Sequence, residues 1–167
     1  MIASALLCAP PVWGQATPAP VARADLVNAK GDRVGAATFT QVGDGVRVEV
    51  TVENLSPGAH ALHIHTTGRC VGPDFMSAGA HFNPTEKQHG KDNPMGHHLG
   101  DLPNLSVDAQ GRGQLTVTAT GITLGDGANS LFHPGGTALG IHERADDYKT
   151  HPTGNAGARL ACGVIRK

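Results

Sequence analysis

The stretch GVRVEVTVENL, residues 45–55, alternates two kinds of side chain almost without a break. Val46, Val48, Val50 and Val52 fall on one face, with Arg47, Glu49, Thr51 and Glu53 on the other. A period of two puts every second Cβ on the same side of an extended chain, so this segment is a strand with one buried and one wet face. Downstream, Ser56-Pro57-Gly58 turns the chain into HALHIH, residues 60–65. Upstream, two apolar-rich runs between Ala24 and Val42 flank a hairpin-like turn at Lys30-Gly31-Asp32. Strands resume at Asn104–Val107 and Gly113–Ala119 on either side of Asp108-Ala109-Gln110-Gly111, and later at Thr137–Ile141 and Arg159–Ile165. There is no helical periodicity of useful length, no internal repeat and no linker. Seven or eight short strands with turn residues between them predict an antiparallel all-β sandwich or barrel with Greek-key connections.

Composition agrees with that class. A chain of 167 residues fits one domain with a proper core. Its 23 glycines against one Trp and one Tyr suit a turn-rich protein with a core of Val, Leu, Ile and Ala. A formal charge of −1 and the lack of a Lys/Arg cluster leave no footprint for nucleic acid. Electrostatic effects must therefore be local.

Residues 1–22, MIASALLCAPPVWGQATPAPVA, differ in character from the rest of the chain. An apolar run from Ile2 to Ala9 precedes Pro-rich, small-residue sequence, as in the core and cleavage region of an export signal, with candidate cleavage after Gly14 or Ala16. The basic segment that normally opens such a signal is missing. The run is too short to span a membrane. Leu7 stands before Cys8 where a lipoprotein signal has a small residue, so a lipid anchor is not expected. The domain is accordingly expected over residues 23–167, exported to the periplasm or cell envelope. Without the leader, Cys70 and Cys162 remain, and one such pair in a small exported domain reads as a disulfide.

Between His60 and Asp101 lie seven of the ten histidines, interleaved with Gly, Pro and Asn. From Thr66 to about Pro103 no period is sustained, and an irregular stretch of that length in a compact domain is disordered or functional. His63 and His65, two apart on a strand, point to one face. His81, His89, His97 and His98 follow, then a carboxylate at Asp101. Imidazole is the commonest side-chain metal ligand, and this density points to a metal site.

Five segments carry a closer likeness. GAHALHIHTTGRC (58–70), GAHFNP (79–84), HLGDLPNL (98–105), GIHERADD (140–147) and TGNAGARLACGVI (153–165) resemble, in order, the signature segments of the Cu/Zn superoxide dismutase family. The resemblance covers the chain from about residue 24 onward. It implies an eight-stranded, flattened Greek-key barrel of immunoglobulin-like sandwich architecture with two long functional loops. It implies one copper ion per chain on His63, His65, His81 and His142, and one zinc ion on His81, His89, His98 and Asp101, with His81 bridging the two. His98 rather than His97 is implicated because it stands three residues before Asp101. Asp146 resembles the carboxylate that joins His63 to His89, and Arg159 the arginine that docks the anionic substrate. His60 is implied to tie a loop to the barrel, and His133 and His151 are expected to be solvated loop residues.

The activity so implied is the dismutation of superoxide by copper cycling beside a structural zinc, with Arg159 and His81 as its catalytic residues. A copper-binding or copper-delivery protein on the same fold is the alternative, and a zinc-only module is a weaker one. Loss of a copper ligand or of the arginine would favour the first, and neither is lost; the second leaves His63, His65 and His142 unexplained. The resemblance leaves a homodimer open. Between Asp147 and Thr153 the second loop is shorter than in eukaryotic members and looks like that of bacterial ones. This leaves Lys149 as its main cation beyond Arg144, and makes Arg69, Lys87 and Lys91 of the first loop candidates for guiding the substrate. A Cys70–Cys162 bridge would anchor the metal-bearing loop near Arg159. It closes a loop long enough to stabilise the fold by about 4–5 kcal/mol at most.

Overall fold

The structure is a computed structural model, and it describes residues 21–167. The leader, and with it the export signal expected over residues 1–22, falls almost wholly outside the described residues. Eight strands form one closed antiparallel barrel: β1 (Val21–Asn28), β2 (Arg33–Val42), β3 (Gly45–Val52), β4 (Gly58–His65), β5 (Asp101–Val107), β6 (Gly113–Thr120), β7 (Ala138–His142) and β8 (Arg159–Val164). The order around the barrel is β1-β2-β3-β6-β5-β4-β7-β8. β3 pairs with β6 and β4 with β7, so the connections from β3 to β4 and from β6 to β7 cross over in Greek-key fashion. Closure comes where Val27 and Asn28 of β1 pair with Cys162 and Ala161 of β8.

The alternation read in β3 is realised. Val46, Val48, Val50 and Val52 are buried, and Arg47 and Thr51 are exposed. With Phe39, Leu62, Ile64, Leu105, Leu139 and Ile141 they fill the barrel. β4 departs from this rule, because His60 to His65 are all buried. Leu62 and Ile64 belong to the core, while His63 and His65 point outward, where the long loop covers them. The segment 121–136, which carries no periodic signal, adds Ile122, Leu124 and Leu131 to the core. It is held there by Gln41, whose Oε1 accepts from the Leu124 N–H at 2.8 Å and from Thr123 Oγ1 at 3.1 Å.

The irregular stretch 66–100 is pinned to the barrel by its backbone. Phe82 N–H donates to the Ile64 carbonyl (2.8 Å), Ile64 N–H to Gly100 (2.9 Å) and Gly100 N–H to Phe82 (2.8 Å). A disulfide joins Cys70 in this loop to Cys162 in β8, with Cα atoms 5.6 Å apart. The second loop, residues 143–158, is tied across its neck by Glu143 N–H to Ala158 (2.8 Å) and Arg144 N–H to Ala156 (2.9 Å). Two ordered loops thus stand over the outer faces of β4 and β7.

Candidate metal centre

His63, His65, His81 and His142 each have one ring nitrogen committed, and that commitment directs the other. His63 Nε2–H donates to Asp146 Oδ2 at 2.8 Å, which turns the Nδ1 lone pair away from the carboxylate. His65 Nδ1–H donates to the Gly79 carbonyl (3.0 Å) and His142 Nδ1–H to the Gly157 carbonyl (3.3 Å), so both present Nε2 as a lone pair. Those two Nε2 atoms lie 3.3 Å apart. One nitrogen each from His63, His65, His81 and His142 fall within 4.8 Å of one another. His63 Nδ1 and His81 Nε2 are buried and have no hydrogen-bond partner at all. A buried, unpaired polar atom is costly, and two converging lone pairs are what a cation satisfies. Glycine at 140 makes room, since a Cβ there would lie 2.7 Å from His65 Nε2.

A second group forms on the other side of the His81 ring. His81 Nδ1 and His89 Nδ1 are each 3.0 Å from Asp101 Oδ1, and His98 Nδ1 is 3.2 Å from that oxygen and 3.3 Å from His81 Nδ1. Zinc ligands at about 2.0–2.1 Å stand roughly 3.3 Å apart at the corners of a tetrahedron, so these four donors have the spacing of a zinc cage. His63 also comes within 4.8 Å of this group. Its Nε2, however, is held by Asp146, and His98 supplies the closer donor. Asp101 is oriented by the N–H groups of Gly90 (3.0 Å) and His98 (3.1 Å) on Oδ2, which leaves Oδ1 for the cluster. His97 is exposed, with Nδ1 on the His98 carbonyl at 2.6 Å.

Asp146 joins the two groups, because its second oxygen accepts from His89 Nε2–H at 2.9 Å. Burial would raise this carboxylate, but hydrogen bonds from His63 and His89 hold it well below the usual range. Asp101 is held far down in the same way by His81, His89 and His98. Burial pulls His81 down to about 4 and His142 to about 3. His65 is lowered by burial first and by the charge of Arg159 second. The imidazoles of His63, His65, His81 and His142 are therefore neutral and ready to ligate. His89 is the exception: despite burial, its bonds to Asp101 and Asp146 raise it to about 9.

The cluster opens onto a cleft bordered by His81, His98, His142, Met76, Arg144 and Arg159 among others. Arg159 is held in place through its Nη1 on the Phe75 carbonyl (2.6 Å) and its Nη2 on the Gly79 carbonyl (2.5 Å). Among the described residues, the cations on this cleft are Arg144 and Arg159. Arg69, Lys87, Lys91 and Lys149 are not on it, and Lys91 instead sits 4.0 Å over the Tyr148 ring.

Three other histidines lie around the cluster. His60 ties β4 to β7 and to the preceding turn, with ring nitrogens 2.7 Å from the His142 carbonyl and 2.8 Å from that of Ser56. His151 is the exposed loop residue expected, whereas His133 is half-buried and packed. His133 stacks on Phe82 at 5.4 Å, and its Nε2 is buried. His151, though exposed, borders the cleft and accepts the His89 N–H at 3.1 Å. The sequence placed neither contact, because both are made across loops without a period.

Residues 33–165 match the family model for copper/zinc superoxide dismutase, and the chain belongs to that family. It is 50% identical over 145 residues to superoxide dismutase [Cu-Zn] 1 of Aquifex aeolicus, covering 86% of each chain. It is 46% identical over 143 residues to the superoxide dismutase-like protein YojM of Bacillus subtilis, covering 84% of this chain and 73% of the relative. Among solved structures it resembles a SOD-like protein from Bacillus subtilis at 43% identity and a TM-score of 0.82, over 85% of this chain and 96% of the other.

Proposed function

We propose that this chain is a superoxide dismutase, converting two superoxide anions and two protons to oxygen and hydrogen peroxide. Copper would be held by His63, His65, His81 and His142, and zinc by His81, His89, His98 and Asp101. The observation that carries this reading is His81, whose two ring nitrogens serve the two groups: Nδ1 is 3.0 Å from Asp101 and Nε2 is buried without a partner. Four nitrogens suit copper, and three nitrogens with a carboxylate in a tetrahedral array suit structural zinc. Copper bound there supplies the one-electron couple that the two half-reactions need. Arg159, on the cleft and braced by two carbonyls, binds the anion and orients it toward the histidines. His81 Nε2, buried and without another partner, would hold a proton and pass it toward the departing peroxide. Asp146 keeps His63 in the tautomer that presents Nδ1. The copper-delivery alternative is not favoured, because every donor and the arginine are in place. The test is superoxide decay with purified chain loaded with one copper and one zinc: rapid decay is expected, and decay no faster than with zinc alone would refute the assignment.

The same reading places the protein outside the cytoplasm, in the periplasm or cell envelope, with residues 1–22 as the export signal. Its support is the apolar leader and the Cys70–Cys162 bridge, a bond that persists in oxidising compartments. Among the described residues no helix is long and apolar enough to cross a membrane. Release of the protein by osmotic shock, with a mature N-terminus after Gly14 or Ala16, is expected; retention with the cytoplasmic fraction would contradict it.

A further inference from the structure

Asp146 has two oxygens and two imidazoles to serve, so a small rotation of its carboxylate would disturb both metal groups at once. Its setting therefore needs a fixed third contact. The Tyr148 N–H provides it, donating to Asp146 Oδ1 at 2.7 Å. That N–H reaches the carboxylate from a residue with φ of 61°, in the left-handed region that a bulky side chain seldom occupies. Such a conformation persists only where the surroundings over-determine it.

The surroundings do so from three directions. The Tyr148 hydroxyl accepts the Asn104 N–H at 2.8 Å. Asn104 in turn clamps the Asp146 backbone, its Oδ1 accepting the Asp146 N–H (2.8 Å) and its Nδ2 donating to the Asp146 carbonyl (3.0 Å). The Tyr148 carbonyl accepts the Asp92 N–H at 3.0 Å. It packs so closely on Gly90 that a Cβ there would collide with the oxygen. Lys91 covers the ring at 4.0 Å from its centroid, a cation–π contact. Tyr148 thus touches the loop just after His89, the strand three residues beyond Asp101, and the carboxylate between the two groups.

We propose that Tyr148 is a positioning residue for both metal groups, locking Asp146, and through it His63 and His89, by bracing the second loop against β5 and against the Gly90–Asp92 turn. The proposal rests on the metal roles assigned above. It also gives Lys91 a role at this brace rather than in guiding substrate.

The test uses the full chain with Tyr148→Phe, Tyr148→Gly, Asp146→Asn and the pair Tyr148→Phe/Asp146→Asn. Zinc affinity is read by chelator competition on metal-free protein, and the copper environment by the visible absorption of Cu(II) in copper- and zinc-loaded protein. Tyr148→Phe is expected to weaken zinc about 10-fold and to shift the copper absorption, and Tyr148→Gly to weaken zinc roughly 10- to 100-fold, the range typical of lost outer partners. In the Asp146→Asn background, Tyr148→Phe should then change neither readout further. Unaltered zinc affinity and copper absorption in both Tyr148 variants, or effects that simply add to those of Asp146→Asn, would overturn the proposal alone. A wild-type chain that binds neither metal would overturn both it and the metal assignment.

Discussion

Gly140 in β7 stands against the flank of the His65 ring: a Cβ at that position would lie 2.7 Å from His65 Nε2 and 2.8 Å from Cδ2. The strand register sets this approach, because Gly140 pairs with His63 and places the next histidine of β4 beside it. Gly140→Ala should therefore push the His65 imidazole off its lone-pair direction without emptying the core. Copper affinity is expected to fall roughly 10- to 100-fold, comparable to losing an outer partner, while zinc affinity holds. Competition titrations with each metal check it; equal loss of both metals would point to general unfolding instead.

The metal-free chain should have a stability that depends on pH in two opposite ways. His89 has its Nδ1 on Asp101 and its Nε2 on Asp146, and these bonds raise it to about 9. Its folded value lies above the unfolded one, so its stabilisation is complete below about 6.5 and is lost as pH rises through 9. His81, near 4, and His142, near 3, are depressed by burial. Their contribution is complete above about 6.5 and is lost as pH falls toward those values. Denaturant unfolding of the metal-free chain should show its midpoint falling on both sides of neutrality.

Zinc uptake should carry the same signature in its protons. Between pH 7 and 8 zinc must displace the His89 proton, so about one proton per chain should be released, dwindling above pH 9. Calorimetry in buffers of different ionisation enthalpy measures this. Zinc binding with no proton release at pH 7.5 would show that His89 is neutral beforehand.

The two cleft cations differ in their reach, the charge of Arg159 being felt at His65 and His142. Arg159→Glu should lower kcat/KM for superoxide by about 10-fold or more with both metals retained, because an anion would then face an anion. Arg144→Gln should lower it roughly threefold and flatten its decline with added salt, since screening acts on charges felt across a Debye length. Joint neutralisation of Lys87 and Lys91 should leave the salt dependence unchanged, as neither borders the cleft. A stopped-flow salt series on the three proteins distinguishes them.

Much of this molecule is legible in its sequence, for reasons particular residues make plain. β3 stands out because one face is wet and the other dry. β4 does not, since His60 to His65 are buried on both sides, and its histidines mark it instead. Ile122, Leu124 and Leu131 enter the core from a loop with no period, so nothing in their spacing marks them. The donors of the two metal groups follow from residue type and from the family likeness. Of what holds those donors, Asp146 follows from that likeness and the rest is not legible. Tyr148, Asn104 and Gly90 act through contacts between the two loops and β5, which no spacing in the sequence marks. Lys91 is a candidate for guidance only because a sequence gives no side-chain direction.

In the proposed centre one imidazole, His81, serves two metal ions. Loading both sites with Cu(II) and recording the electron paramagnetic resonance signal tests this most directly. Two Cu(II) ions joined by a single imidazolate couple antiferromagnetically. A signal at low temperature far below that of two independent ions is therefore expected, restored when His81→Ala separates them. A doubly loaded wild-type chain whose signal equals the sum of two uncoupled copper ions would contradict the shared imidazole.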